Sequence, residues 1–390
     1  MRGADAIVVG AGVAGLVCAR TLSRNGLEVV VFEAADGVGG RVRTDEVDGF
    51  RLDRGFQVLP TAYPEARSAL RYEQLELRQF ERGAIVRFQG RFHRIVDPRR
   101  SPLRGVRSFT SGVVRPRDLL AVRRLLSLEG RETTTLDALC EAGVSGSLRD
   151  GFFTPFLRGI TLEAELATSS RFLRFVLDAF ASGPAALPSR GMGAIAEQLA
   201  EGLDVRTGTA VSRVGDGAVI LEDGETLAAD AVVVAAAGLL DDRHIRWNGV
   251  TCLYFDAPAP PIAGAWLVLD GEGSGPVNNL ATLTEVSPSY GPRGRALVSA
   301  SVLGACEPDL EAVLHQLEGW FGPVVRSWRH LRSYAIPKAL PAYPLGWSFD
   351  DEPRVERGLY ACGDHRTHPS LNGALASGRR AAEAVLSDLR

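Results

Sequence analysis

From residue 4 the chain reads ADAIVV, a continuous apolar run of strand length. Glycines follow, then a stretch with helically spaced apolar positions to about Asn25, closed by Gly26. A second apolar run, residues 27–33, ends on Glu33. Short uniform runs bounded by turn residues predict buried strands, and the spacing between them predicts a helix. The opening is therefore a β-α-β unit of about 30 residues. Residues 46–60 read as short strands with turns. Residues 116–180 return to a helical period, as in PRDLLAVRRLL and SSRFLRFVLDAFA, until Pro184 and Pro188 break it. Residues 191–202 predict a helix, and 204–237 predict consecutive strands turning at Asp216-Gly217 and Asp223-Gly224. The last of these strands is VVVAAA at 232–237. Several strands broken by Pro and Gly are expected in 245–305, and a helix in 307–321 with Pro308 in its first turn. GLYAC at 358–362 predicts a strand running into Gly363-Asp364, with a helix from about Asn372 onward. No internal repeat or low-complexity tract is visible.

Three groups of residues carry chemistry. Gly10, Gly12 and Gly15 follow a strand and open a helix. The first allows a tight turn, the second lets a pyrophosphate approach the backbone, and the third lets helix and strand pack closely. The helix N-terminus offers free N–H groups and a positive dipole end to phosphates. Glu33, ending the next strand, can accept from both ribose hydroxyls. The second group is Gly39-Gly40-Arg41, with Arg43 close behind. Its glycines can expose backbone N–H groups, and Arg41 can reach a pyrophosphate oxygen or brace the loop by a charge-assisted bond. The third is GLYACGDHRTHPSLNGALASGRRAA, residues 358–382. Here Gly363 and Asp364 follow a strand, and Asn372, Gly373 and Ala374 open a helix. Asp364 can bond a ribitol or ribose hydroxyl, and the positive helix end can face the pyrimidine edge of a flavin.

These groups stand at the start, middle and C-terminal end of the sequence. That spacing predicts two interleaved domains: residues 1–60, 188–242 and 345–390 bind the dinucleotide, and residues 61–187 and 243–344 bind substrate. The expected class is α/β (α+β overall), a Rossmann-like FAD-binding domain interleaved with a substrate domain of mixed β-sheet plus helices.

The three stretches resemble the flavoprotein superfamily of monoamine oxidases, protoporphyrinogen oxidases and phytoene-type carotenoid desaturases. LPSRGMGAIAEQLA resembles that family's Pro-x-x-Gly-Met stretch, and TAVSRV the strand whose backbone, near Val211, contacts the adenine. The resemblance implies noncovalent FAD, because no cysteine stands where a thioether to the flavin would form. It implies Gly10, Gly12, Gly15, Glu33, Arg41, Val211, Gly363 and Asp364 as cofactor residues. It also locates departures. The family's amine oxidases flank the flavin with an aromatic cage, and one cage position is Ser370 here. The other falls near residues 342–347, where Tyr343 or Trp347 can serve. Their lysine in a mid-chain strand has no counterpart in WNGVTCLYF, and the sole lysine, Lys338, lies in YAIPKALPAYP. Lys338, His365, His368 and Tyr343 are therefore the catalytic candidates, each weighed against a purely structural place in the loops.

Composition narrows the picture further. The chain has 390 residues, 45% hydrophobic and 23% charged, with net charge −3, and no global charge suggests nucleic acid. Residues 91–131 carry eleven arginines against three acids. They form either a solvated, ion-paired face or a basic patch for a membrane surface or anionic partner. Five scattered cysteines without zinc spacing suggest reduced thiols in a cytoplasmic protein. The N-terminal run is like a signal peptide, but Asp5 and three glycines interrupt it. His93, His244, His315 and His330 have no ligand spacing, so no metal is implied. Phenylalanines 152, 153, 156, 172, 175 and 180 recur at near-helical spacing, as core or as the wall of an apolar tunnel.

With FAD as cofactor, the expected reaction is hydride transfer from a substrate C–H to flavin N5, the protein supplying orientation and a dry site. Three readings follow: a dehydrogenase or desaturase of an apolar, carotenoid- or isoprenoid-like small molecule, an amine oxidase forming imine and peroxide, or a flavin-dependent isomerase without net redox. Dioxygen, a quinone or another electron acceptor serves the redox readings.

Overall fold

The two opening apolar runs become the strands Ala6–Val9 and Val29–Phe32, joined by the helix Val13–Arg24. A strand–helix–strand crossover leaves its strands parallel. In the computed structural model, Ala6 lies opposite Val29 on one side and Ala231 on the other. The structure describes residues 4–96, 108, 111–127, 131–215, 217–240, 245–348 and 350–389. Asp216 of the expected turn, His244, and much of the arginine-rich 91–131 segment lie outside the described residues.

The first sheet has six strands, in the order Asp204–Arg206, Val29–Phe32, Ala6–Val9, Ala231–Val234, Leu359–Ala361 and Arg354–Glu356. Its pairings are parallel except the last. Its centre is uniformly apolar because both faces are covered. Leu16 and Leu22 of the first helix, Leu199 of Gly193–Ala200 and Leu375 of Leu371–Asp388 pack on one face. Val219 and Leu221, from the antiparallel meander at 211–228, pack on the other. The first and last helices approach closely because Gly378 lacks a side chain: a Cβ there would lie 2.1 Å from the Ala14 carbonyl oxygen.

The second sheet has seven strands, in the order Arg329–Pro341, Trp247–Ala257, Ala296–Leu303, Val277–Thr282, Leu267–Asp270, Gly83–Phe88 and Arg91–Val96. Only Leu267–Asp270 against Gly83–Phe88 is parallel. One face packs on Leu148, Leu157 and Phe172 of the helical layer through Val86 and Leu269. The other packs on Leu317 and Trp320 of the helix Leu310–Phe321 through Leu253 and Val298. The fold is thus α/β, a Rossmann-like parallel sheet beside a mixed sheet with helices, as the sequence predicts.

Local differences have local causes. Asp309 accepts a bond from the Ala312 N–H at 3.0 Å and caps the helix, so Pro308 precedes the helix instead of sitting in its first turn. The strand Arg329–Pro341 contains two prolines and is the edge of its sheet, where missing N–H donors are tolerated. On the helix Asp118–Leu126, Leu119 and Leu120 are exposed beside exposed Arg117, Arg123 and Arg124.

Candidate active site

A cavity of about 1280 Å³ lies between the two sheets. Gly10, at φ +104°, turns the chain off the first strand, and its N–H donates to the Phe32 carbonyl at 2.7 Å. Gly12 is the N-cap of the first helix, with φ −70°, ψ 171° and no side-chain cap. A Cβ on Gly12 would meet nothing within 4 Å, so this helix end opens on free space in the cavity wall. Gly15 faces inward instead: a Cβ there would stand 2.0 Å from the Gly10 carbonyl oxygen. The Glu33 carboxylate reaches back to accept from the Ala11 N–H at 2.7 Å and the Ala35 N–H at 2.9 Å. Its own carbonyl accepts from Thr209 at 2.9 Å, which brings the return segment ahead of Val211 alongside. Val211 itself is not on the cavity wall.

Gly39 and Gly40, at φ +112° and +58°, fold the next loop over Gly12, and the Gly39 N–H donates to the Ala11 carbonyl at 2.8 Å. That fold delivers Arg41 to Asp364 across the whole sequence. The guanidinium donates to both carboxylate oxygens, at 2.9 and 2.6 Å, and to the Ala339 carbonyl at 3.0 Å. It also lies 5.4 Å from the Trp247 ring centre. Burial alone would lower the Arg41 pKa; the Asp364 charge and hydrogen bonds outweigh it and hold it above its ordinary value. Arg41 is thus a brace in this structure. Asp364 is oriented by Gly363, whose N–H donates to Ser377 Oγ at 3.0 Å.

The remaining candidates divide. Lys338 and His365 line the cavity. Lys338 sits in an irregularity of the edge strand: Ile336 pairs with Val250 and Leu340 with Asn248, so three residues oppose Gly249 alone. His365 stands 6.4 Å from Trp247, ring to ring. His368 lies off the wall, against Phe175 at 4.2 Å and within 2.9 Å of Ser370 Oγ. Burial pushes its pKa down to about 4. Tyr343 is buried behind Phe172, 6.0 Å away, and its hydroxyl donates to the Trp347 carbonyl. Ser370 lines the cavity and caps the last helix by accepting from the Gly373 N–H at 3.0 Å. Asn372 instead braces the 64–69 helix, its side-chain oxygen accepting from the Glu65 N–H at 3.0 Å. Gly373 packs against the His368 carbonyl, and Ala374 reaches the wall.

Other important residues give no sequence signal. Gln57 donates to the Arg41 carbonyl at 2.7 Å and so fixes the arginine loop. Asp53, four residues earlier, is fully buried. Its carboxylate accepts from Thr44 Oγ1 at 2.5 Å, the Met192 N–H at 2.8 Å and Tyr290 Oη at 2.9 Å. Its carbonyl accepts from Tyr254 Oη at 2.7 Å. Both tyrosines come from the region of the second sheet, so Asp53 ties the two halves together directly ahead of wall residues Arg54 to Val58. Phe152 and Phe153 end a π-helical turn, Arg149–Phe153, which turns Phe152 onto the wall beside Phe156 and Phe180.

The cavity exceeds the roughly 300–1,000 Å³ of most small-molecule sites. It combines an open helix N-terminus, the Arg41 guanidinium, the Glu33 and Asp364 carboxylates and an apolar wall. A dinucleotide with a ring system at one end fits that donor set. Among the described residues no cysteine lines the cavity, and no cluster of His, Cys, Asp and Glu could hold a metal ion. No helix among them is long and apolar enough to cross a membrane.

The family model for flavin containing amine oxidoreductase matches residues 13–239 and 243–386. Putrescine oxidase from Kocuria rosea is 55% identical over 53 residues, 14% of this chain and 11% of that protein. The zeta-carotene-forming phytoene desaturase of Myxococcus xanthus is 42% identical over 66 residues, 16% of this chain and 13% of that protein. The aligned stretches thus span little more than a tenth of these curated relatives. A crystal structure of an oxidoreductase from Methanosarcina mazei superposes over 97% of this chain and 99% of its own, with TM-score 0.75 at 19% identity, a likeness of fold.

Proposed function

This chain belongs to the flavin-containing amine oxidoreductase family, and from that premise we propose that it is an FAD-dependent dehydrogenase or desaturase acting on an apolar, isoprenoid-like substrate. The observation that carries the substrate class is the wall facing the helical layer, where Phe152, Phe156, Ile160, Leu177 and Phe180 stand. Among the described residues four carboxylates are on the wall: Glu33, Glu81, Asp118 and Asp364. Glu33 is bonded to Ala11 and Ala35, and Asp364 to Arg41. Asp118 accepts from the Arg115 N–H and from Ser145. Glu81 is exposed. A buried ammonium would find no uncommitted buried counter-charge among them, whereas a hydrocarbon needs none.

The bound flavin supplies the hydride acceptor. The chain's residues supply the rest. The open helix end at Gly12 receives the phosphates, and Glu33 accepts from ribose hydroxyls. Arg41, clamped by Asp364 and the Ala339 carbonyl, fixes the wall beside Lys338. The phenylalanines exclude water from the reacting C–H bond and orient the substrate.

Amine oxidation is the second reading, favoured by the putrescine oxidase relative and by the place of Lys338 on the wall. An anaerobic mixing experiment separates the readings. Phytoene in detergent is expected to bleach the yellow protein, and putrescine is not. Bleaching by amines alone overturns the proposal, and product formation without any electron acceptor points to isomerisation. Under the apolar reading, Lys338→Met changes the bleaching rate less than about threefold. A loss of about a hundredfold would instead assign proton transfer to Nζ.

The apolar reading also gives a role to the helix Asp118–Leu126. Leu119, Val122 and Leu126 line the cavity, while Leu120 is 61% exposed beside Arg117, Arg123 and Arg124. Apolar side chains flanked by guanidinium groups complement an anionic lipid surface, at about 1 kcal/mol per basic residue. The protein is expected to sediment with vesicles containing phosphatidylserine and to be released by 0.5 M salt, roughly the screening regime of a few ångströms. Equal sedimentation with neutral vesicles would remove this role.

A further inference from the structure

The floor of the cavity is the face of the seven-stranded sheet that meets the helical layer. Directly paired residues in a ladder share a face. The row running across this floor pairs Val86 with Leu269, Leu269 with Asn279, and Asn279 with Ser301. Its first two members are apolar core residues. Val250 and Leu303, paired two positions further along, also line the cavity. Asn279 and Ser301 interrupt this apolar floor, only 4% and 5% exposed, and both line the cavity.

The interruption is built by the backbone. The register slips between Val277 and Asn279, a bulge that turns both Asn278 and Asn279 toward the helix Thr154–Thr161. Asn278 Nδ2 donates to the Pro155 carbonyl and to Asn279 Oδ1, both at 2.9 Å. That bond fixes the Asn279 amide with its nitrogen toward Ser301, to whose Oγ it donates at 3.3 Å. Gly159 makes room: a Cβ there would stand 3.0 Å from Asn279 Oδ1. The Asn279 oxygen is thus satisfied by protein. The Ser301 hydroxyl hydrogen and the second Asn279 N–H have no acceptor among the hydrogen bonds of the described residues. Buried donors left so are costly, and a ligand acceptor relieves them.

We infer that Asn279 and Ser301 form a neutral hydrogen-bond-donor site on the cavity floor that takes a carbonyl, ether or hydroxyl oxygen of an otherwise apolar substrate. The inference rests on the apolar-substrate reading and sharpens it: the substrate carries one oxygen at a fixed place in a carbon framework. The site selects for an acceptor, because the Asn279 oxygen that could receive a substrate donor is occupied by Asn278.

Equilibrium titration of the oxidised holoenzyme, followed by the perturbation of the flavin visible band, tests this without turnover. The probes are geranylacetone, the hydrocarbon with its carbonyl replaced by a methylene, and the primary amine of the same skeleton. The wild-type protein is expected to bind the ketone about tenfold more tightly than the hydrocarbon, the value of one net hydrogen bond. Ser301→Ala lowers the ratio and Ser301→Thr restores it, while Asn279→Leu combined with Ser301→Ala, which removes both donors, brings it near one with flavin content unchanged. Equal binding of ketone and hydrocarbon by the wild type, or a ratio that survives in the variant lacking both Asn279 and Ser301 side-chain donors, overturns the donor site alone. Binding of the amine but of neither apolar probe overturns the apolar-substrate reading and the donor site with it.

Discussion

Gly12→Val is expected to give a folded protein without colour. Gly12 has an ordinary extended conformation, φ −70° and ψ 171°, which a valine adopts without strain. A Cβ there would meet no atom within 4 Å, so the branch point itself displaces no neighbour. The free space that receives the side chain is the space before the first helix turn. That is where the phosphates of a dinucleotide must approach the uncapped N–H groups. Loss of two charge-assisted bonds, each worth about 1.5–3 kcal/mol, lowers affinity by more than about a hundredfold. The measurements are the flavin absorbance of the purified variant and the melting temperature of its apo form against apo wild type. Retained flavin, or a collapsed apo melting temperature, would contradict this role for Gly12. Gly15→Val is the contrasting control. Its Cβ would stand 2.0 Å from the Gly10 carbonyl oxygen, so it should damage folding itself.

The contrast between these glycines shows what a sequence can carry. The G-x-G-x-x-G spacing, Glu33 nine residues beyond the end of the first helix and Asp364 after a short strand are local patterns. Their geometry is fixed by the strand–turn–helix in which they sit. The Arg41–Asp364 brace joins residues 323 apart in sequence, and no local period encodes it. The same holds for Gly378, which reads as an ordinary helix residue until the first helix is laid against it. The bulges opposite Gly249 and at Asn278 depend on how two strands meet, so alternation along either strand alone hides them. The prolines of the Arg329–Pro341 strand read locally as breaks, and only its place at a sheet edge makes them compatible with a ladder.

Asp53 is the extreme case of this long-range dependence, and it should dominate stability. Asp53→Ala leaves the Thr44 hydroxyl, the Met192 N–H and the Tyr290 hydroxyl without their acceptor. Each orphaned buried donor costs about 1–3 kcal/mol, so a loss of several kcal/mol is expected at every pH. Asp53→Asn isolates the charge. Burial pushes the Asp53 carboxyl up from 3.8 to about 6, and its bonds from Thr44, Met192 and Tyr290 only partly oppose this. An acid with a raised folded pKa binds its proton more tightly when folded. Its contribution is therefore most favourable below pH 4, declines as pH rises to about 6, and is constant above. The rise corresponds to roughly 3 kcal/mol. The groups facing it, Cys252, Tyr254 and Tyr290, all have raised pKa values and stay neutral through that window. Asp388, held down to about 2 by Arg354, has the opposite sign and loses its contribution as pH falls below 4. It is common to both proteins, so subtracting the Asp53→Asn denaturation free energy from that of wild type at each pH removes it. The difference should shift toward the variant by up to about 3 kcal/mol between pH 4 and pH 7. A flat difference would show that Asp53 is charged or neutral throughout. Because Arg54 to Val58 follow Asp53 onto the cavity wall and Gln57 holds the Arg41 loop, flavin retention should fall in Asp53→Ala at every pH. In Asp53→Asn it should be kept at pH 7.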